Sequence, residues 1–470
     1  MKLPRGLFLL PLLFVAVPGM AQTTGLTLED ACALARKNSE EVHLRELAVQ
    51  KSRRALEEAG SRALPHVDLQ ASASYLVHPP QGYTVGAGTL GAITPTIPAG
   101  TLGPAPIPLG SFAIPPQDFA VGAQQHNYFT ATASLSQPLF TWGKIRNAID
   151  LASLEVESAG TDLLAQQRDI DREVHRAYFG VLLARDSETV LRRIRDTAAE
   201  IAADRQKSFD QGTINRETVL DARANLASIE AKLSEAEQSE ATALESLGLL
   251  TGTEPKVEDF ATGFRTQFPL LDEQSLREKT RASSPSLAAS RTRISQAGKK
   301  LAMEKGGELL HPDVSLGLQL DFLGQEDLPF SAWNWNNTTW DWDLVISLGV
   351  KMSVFDGLAS LQRVRQAEKD VEMAGIGLSL DEKRVGLDVR KAVDAAVKAD
   401  SDVREKQART DYAEERQRNA RASLESGMAS RDEEHAADIQ AGSAELDLLF
   451  ARFTREEALA DIARLIGERI

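Results

Sequence analysis

The stretch Trp340-Asp341-Trp342-Asp343-Leu344-Val345-Ile346-Ser347-Leu348-Gly349-Val350-Lys351-Met352-Ser353-Val354 alternates apolar and polar residues almost without interruption. Upstream, Val314-Ser315-Leu316-Gly317-Leu318-Gln319-Leu320-Asp321-Phe322 does the same. Successive side chains on a strand point to opposite faces, so each run carries one apolar and one polar face. In an earlier pair, Val67, Leu69, Ala71, Ala73 and Tyr75 alternate with Asp68, Gln70, Ser72 and Ser74, and Phe129, Ala131, Ala133 and Leu135 with Thr130, Thr132, Ser134 and Ser136. Runs of about 10 residues with this pattern, edged by aromatics, mark membrane β-barrels. Tyr75, Phe129, Trp340 and Trp342 are the candidate membrane-interface aromatics, and Trp333 and Trp335 of the preceding loop extend that belt.

Around these strands the chain reads as long helix, and the arrangement occurs twice. A shift of 215 residues lays Phe140 on Phe355, Gly212 on Gly427 and Gly252 on Gly467. The first repeat (22–252) has a helix over 28–62, a strand pair at 65–77 and 128–139, a long helix over 144–209 and a return helix over 213–250. A linker, 253–271, leads to the second repeat (272–470), with a helix over 273–308, strands at 312–323 and 340–355, and helices over 359–424 and 429–467. At about 1.5 Å per residue the long helices span about 100 Å, far beyond a hydrocarbon core of about 30 Å.

The first return helix carries a heptad seam, Val219, Ala222, Leu226, Ile229, Leu233, Ala236, Ala243, Leu247 and Leu250, interrupted by Glu240. Its counterpart is rich in alanine: Glu434, Ala437, Ala441, Ala444, Leu448, Ala451, Ala458, Ile462 and Leu465. The segment from Pro79 to Asn127 is dense in Pro and Gly and reads as an irregular loop between the first two strands.

Composition narrows the function. A formal charge of −15 argues against a nucleic-acid partner. Residues 1–21 read as a secretory signal, with Lys2 and Arg5, an apolar stretch from Leu7 to Val17, and Gly19-Met20-Ala21 at the cleavage site. No later segment is long and apolar enough for a membrane helix. Cys32, the only cysteine, follows Glu29-Asp30-Ala31 and reads as a packing residue. No phosphate-cradling loop, nucleophile elbow or H-E-x-x-H is present, so the expectation is no enzyme, no cofactor and no metal.

Four strands cannot close a barrel, and in lipid every strand edge must be paired. The chain must therefore oligomerise, each copy lending its strands to a shared barrel. The order and spacing of Leu26-Thr27-Leu28-Glu29-Asp30-Ala31, Leu64-Pro65-His66-Val67, Ser136-Gln137-Pro138-Leu139-Phe140-Thr141-Trp142-Gly143, Gly212-Thr213-Ile214 and Leu249-Leu250-Thr251-Gly252 resemble the TolC-type outer-membrane efflux proteins. That resemblance implies a mixed α+β membrane protein, a homotrimer whose 12-stranded β-barrel in outer-membrane lipid continues as a long periplasmic α-helical barrel. It implies an exit duct of a tripartite efflux or type I secretion system in a Gram-negative-type cell, joined by a periplasmic adaptor to an inner-membrane pump, on which the choice of cargo rests. The turns Gly212, Thr213, Ile214 and Gly427, Met428, Ala429 would be the adaptor-docking tips. Glu433, six residues past Gly427, is the leading gate candidate, flanked by Asp432 and Glu434; Asp221 follows Gly212 by nine. The alternative is a periplasmic coiled-coil adaptor or structural protein, which has no need of four amphipathic strands.

Overall fold

The computed structural model describes residues 26–78, 126–256, 260–326, 336 and 338–468, with six short backbone segments inside 83–121. The signal-like segment, Trp333 and Trp335 lie outside the described residues, as does most of the Pro/Gly-rich loop.

The helices are α1 (Leu28–Asn38), α2 (Glu40–Ser61), α3 (Lys144–Asp210), α4 (Arg216–Thr251), α5 (Glu273–Ser283), α6 (Pro285–Gly306), α7 (Ala359–Glu425) and α8 (Arg431–Ile466). They match pairwise in length: 11 residues for α1 and α5, 22 for α2 and α6, 67 for α3 and α7, 36 for α4 and α8. The expected single helices over 28–62 and 273–308 are each broken in two, at Ser39 and Ser284. Both serines take extended backbone (φ −66°, ψ 124° and φ −64°, ψ 120°) and donate their N–H to the preceding helix. Each hydroxyl then accepts from the next helix, from Val42 N and Leu287 N at 3.4 Å. At Ser284 the following Pro285 forbids the helical conformation and opens the new helix as its first residue.

The strands are β1 (His66–Tyr75), β8 (Asn127–Phe140), β9 (Asp313–Glu326) and β10 (Thr339–Lys351). Between the first two lie β2 (Tyr83–Val85), β3 (Ala92–Ile93), β4 (Thr96–Ile97), β5 (Ile107–Pro108), β6 (Phe112–Ala113) and β7 (Phe119–Val121). These pair as β2·β7, β3·β6 and β4·β5, a nested antiparallel ladder where an irregular loop was expected. The two expected strand pairs join through β8 and β9 into one antiparallel sheet of order β1-β8-β9-β10. Its two outer edges, β1 and β10, are exposed along their whole length.

The contacts divide the chain into two compact units, with the division falling inside α2, α3, α6 and α7. The sheet unit comprises Arg53–Leu154 and Ser295–Glu372. The helical unit comprises the described residues up to Ser52, with Glu155–Ile294 and Met373–Ile470.

Within the helical unit, one core gathers Leu28, Ala35, Val42, Val174, Tyr178, Phe179 and Leu247, and a second gathers Leu276, Val389, Val393, Ala396, Leu459 and Ile462. Val174, Tyr178 and Leu247 stand at repeat-equivalent positions to Val389, Val393 and Ile462, so the second core is the same design with smaller side chains. Every named member of both return-helix seams is buried or half-buried. Val190, Ile194 and Leu449 join α3 to α8, and Gly442 lets them approach: a Cβ there would meet Ile194 at 2.6 Å. Cys32 packs at the margin of the first core.

The segment after Phe260 is pinned to this unit by its backbone. Ala261 N–H donates to Leu26 O (3.2 Å), and Thr262 N–H to the Tyr178 hydroxyl (2.9 Å), which itself donates to Leu26 O (2.9 Å). Tyr178 therefore does more than pack. Two neighbours on α8 then hold the two backbone groups of Arg265: Glu456 accepts from its N–H at 3.1 Å, and Arg455 donates to its carbonyl. Glu456 is wholly buried, and that burial pushes its carboxyl above the usual carboxylate range, against the pull of Arg265 and Arg455. Arg455, also buried, pairs with Asp400.

Candidate membrane conduit and its helix turns

Strand register turns the alternation of single runs into rows. Val67, Leu135, Leu318 and Ile346 form one row, Leu69, Ala133, Leu320 and Leu344 the next, and Ala71, Ala131, Phe322 and Trp342 the one beyond. The interleaved rows are polar but for Val345: Asp68, Ser134, Gln319 and Val345, then Gln70, Thr132, Asp321 and Asp343. The polar face is knitted by hydrogen bonds, from Thr132 Oγ1 to Asp321 (2.7 Å), Gln319 Nε2 to Asp321 (2.8 Å) and between Ser72 and Thr130 (2.7 Å). The opposite face is apolar and exposed: Val67 is 69% exposed and Ile346 68%. A water-facing sheet would bury that face against a second layer.

The sequence-predicted aromatics gather at one end of the sheet. Phe129 and Trp340 meet edge-on at 5.4 Å, across Gly324 in the strand between them; a Cβ on Gly324 would strike the Trp340 ring at 2.9 Å. Tyr75 lies beside His126 (6.0 Å), and Trp342 is exposed. The other end carries a belt that sequence reasoning missed. Trp142 stacks on His311 (4.2 Å, 15°), donates Nε1–H to Pro312 O (3.0 Å) and meets Phe140 edge-on at 5.2 Å; Phe355 is exposed nearby in sequence to β10. Phe129 and Phe140 occupy one strand, so at about 3.3 Å per residue and a tilt of about 40° the belts stand about 28 Å apart. That is close to the height of an outer-membrane apolar band, about 25 Å. The available signal was this aromatic spacing at the far end of the run.

The two helix turns share one construction. Gly212 and Gly427 both sit at φ +73°, in the left-handed region that ends a helix, with open space around them. Thr213 N–H reaches back to Ser208 O (3.0 Å), and Met428 N–H to Ser423 O (2.8 Å). Three residues after each glycine a cap starts the return helix: Asn215 accepts from Thr218 N–H (3.0 Å), and Ser430 from Glu433 N–H (3.3 Å).

The gate candidates separate by environment. Glu433 closes a capping box, its carboxylate accepting from Ser430 N–H at 3.1 Å. Asp432 pairs with Arg205 of α3 (2.8 Å), and Arg431 with Asp204 (3.3 Å), two adjacent charges answering two of opposite order. Lys207 foremost, with Arg431, holds the Asp204 carboxyl below the usual range. Glu434 faces Arg421 of α7 (3.4 Å), which also binds Asp438 (3.0 Å). His435 is buried with Nε2 3.5 Å from Glu200 of α3. Asp221 is exposed and accepts a 3.4 Å hydrogen bond from Asn225. The structure thus ties Asp432, Glu434 and His435 to neighbouring helices, while Asp221 stays apart. Among the described residues, no group of three or more His, Cys, Asp or Glu side chains is placed to hold a metal, and no helix is long and apolar enough to cross a membrane.

Comparison with known proteins adds to this geometry. The family model for outer membrane efflux proteins matches residues 32–253. The cobalt-zinc-cadmium resistance protein CzcC of Cupriavidus metallidurans is 25% identical over 242 residues, 51% of this chain and 54% of the relative, so the chain spans about half the length of that curated relative. The CmeC outer membrane channel of Campylobacter jejuni superposes with a TM-score of 0.67 at 17% identity, covering 94% of this chain and 85% of that one. The outer membrane protein VceC of Vibrio cholerae gives 0.67 at 15% identity, covering 94% and 96%, and CusC gives 0.69 at 14%, covering 95% and 93%. Over residues 32–253 the chain is similar to the outer membrane efflux protein family. The matched family and the solved neighbours CmeC and VceC are outer-membrane proteins by name. The family is one of channels and not of enzymes. At such identities the solved structures establish the fold alone, which is that of outer-membrane channels.

Proposed function

We propose that three copies of this chain close their sheets into one 12-stranded barrel and continue it with their long helices, forming the passive exit duct of a tripartite efflux or type I secretion system. The observation that carries this is the sheet: an exposed apolar face between two belts, with no further strand paired to either edge among the described residues. Unpaired backbone is intolerable in lipid, so β10 of one copy meets β1 of the next. An even number of strands per copy makes every such seam antiparallel. The apolar face turns to lipid and the polar face to a water-filled lumen. The periplasmic-adaptor alternative offers no reason for an apolar face of this kind.

The turns at Gly212 and Gly427 are the surfaces offered to a periplasmic adaptor bound to an inner-membrane pump. The pairs Asp432–Arg205 and Arg431–Asp204 hold the second turn against α3, and opening the entrance breaks them. Glu433 narrows that entrance from its capped position. Divalent cations are the cargo to test first: the matched relative confers cobalt, zinc and cadmium resistance by name, and Asp68, Asp321, Asp341 and Asp343 share the polar face with a single lysine, Lys351. Reconstitution into planar bilayers tests the reading. Stable cation-preferring steps are expected, altered in conductance by Glu433→Ala; membrane-inserted protein that conducts nothing would overturn the duct.

A further inference from the structure

Arg168 of α3 is a half-buried arginine that no carboxylate answers among the described residues. With Arg36, Arg172 and Arg464 it lines a cavity of about 540 Å³ walled by α1, α3 and the end of α8. The other three are paired, with Asp171, Asp461 and Asp169. Hydrogen bonds to Asp171 and Asp461 hold the pKa of Arg36 and Arg172 above the ordinary value, whereas burial moves that of Arg168 below it. Arg168 Nη2 donates to Ser283 O at the end of α5 (3.0 Å), and Nη1 is buried with no acceptor among the described residues. A carbonyl at a helix end offsets only part of a full charge, and a half-buried charge stays costly until it is paired. The guanidinium is also fixed in place: Gly467 ends α8 at φ +73°, and a Cβ there would collide with it.

The second repeat shows what the first lacks. Its matching groove, between α5 and α7, sets Arg281 beside Glu382 at 3.5 Å. Arg281 stands at the position of Arg36, and Glu382 at that of Gln167, which lines the cavity of the first repeat. Arg168 corresponds to Lys383, which is exposed to water. The first repeat therefore has a neutral amide where the second has a carboxylate, and a half-buried guanidinium where the second has a solvated ammonium. Two carboxylates in the wall of its cavity are already taken, Asp171 by Arg36 and Glu468 by Lys279 (2.8 Å).

We propose that this cavity binds a small oxyanion, a carboxylate or a phosphate, paired with the Arg168 guanidinium and hydrogen-bonded by the Gln167 amide. The planar fork of an arginine suits both groups. The site lies within the helical unit of one chain and stands apart from the duct reading. Occupancy ties α3 to the ends of α5 and α8 and stabilises that unit.

Cys32, the only cysteine, lines the same cavity and serves as the reporter. Alkylation of the full-length protein by iodoacetamide in detergent is timed in sodium acetate, sodium phosphate and sodium chloride at equal ionic strength, and melting temperature is read in the same solutions. Acetate, phosphate or both are expected to slow alkylation severalfold against chloride and to raise the melting temperature; the salt that does so names the group bound. Arg168→Gln, and Gln167→Glu, which supplies the carboxylate of the second repeat, are each expected to lose both effects. Should Arg168→Gln fail to fold, Gln167→Glu decides alone. Equal alkylation and melting in all three salts, or effects that persist in the variants that fold, overturn the site.

Discussion

The same aliphatic side chains meet opposite fates in the two units. In the helical unit Val174, Val181 and Leu247 expose nothing, whereas in the sheet Val67, Leu344, Ile346 and Val350 lie open on one face. Hydrophobic burial is favourable only relative to water. One chain has thus been built for two solvents. On the proposed reading, its helices bury an apolar stripe because water surrounds them, and its sheet displays one because hydrocarbon does.

The contrast breaks most sharply at the middle of the sheet. Ile346→Arg places a cation on the apolar face, which costs about 2–4 kcal/mol per copy at the bilayer midplane. Loss of detergent-resistant oligomer and of outer-membrane recovery is expected. Ser347→Arg, one residue on and on the polar face, should keep both; equal tolerance of the two would erase the lipid and lumen assignment. In the helical unit the expected effect is of another kind. Leu247→Ala opens a cavity in a water-facing core, for about 2–5 kcal/mol. Circular dichroism should record earlier helix melting with membrane recovery unchanged.

A smaller effect belongs to the clasp at Arg265. Glu456→Ala leaves the half-buried Arg265 N–H without its acceptor, at about 1–3 kcal/mol. Glu456→Gln keeps the acceptor and removes the buried charge. Because the folded carboxyl titrates above its unfolded value, the proton-linked stability it contributes is complete below the ordinary carboxylate range and is lost as pH rises through the folded value. Glu456→Gln should therefore gain on wild type as pH rises toward neutrality, read from denaturant melts across that window; a difference independent of pH would contradict the assignment. The smallest effect is at the second turn. Gly427→Ala meets no neighbour but forces a Cβ into left-handed backbone, for about 1–2 kcal/mol. Faster hydrogen exchange confined to residues 426–430 is the expected readout.

The sheet was legible because a period of two writes both faces of a strand directly into the sequence. The turns were legible because Gly212 and Gly427 recur at one spacing, and left-handed caps call for glycine. Less was legible where partners come from afar. Glu456 reads as one more charge on a helix, and only the fold brings Arg265, 191 residues distant, to its carboxylate. Ser284-Pro285 announces a helix break, but Ser39 has no proline after it and shows its break only beside its counterpart. At Glu433 a legible signal went unread, since a serine three residues ahead of a glutamate is a capping-box pattern as well as an acidic run beside a turn. The Trp142–His311 stack lay hidden because its members sit 169 residues apart, one at a strand-to-helix junction and the other at a helix-to-strand junction.

Backbone pairing at the sheet edges is the point on which the account turns. Amide hydrogen exchange, followed by mass spectrometry on the protein reconstituted in lipid bilayers, reads it strand by strand. Closure between copies predicts that β1 and β10 are protected as strongly as β8 and β9, which are paired on both sides within one chain. Fast exchange along β1 and β10 beside protected β8 and β9 would mean open edges in the membrane, and would contradict the barrel.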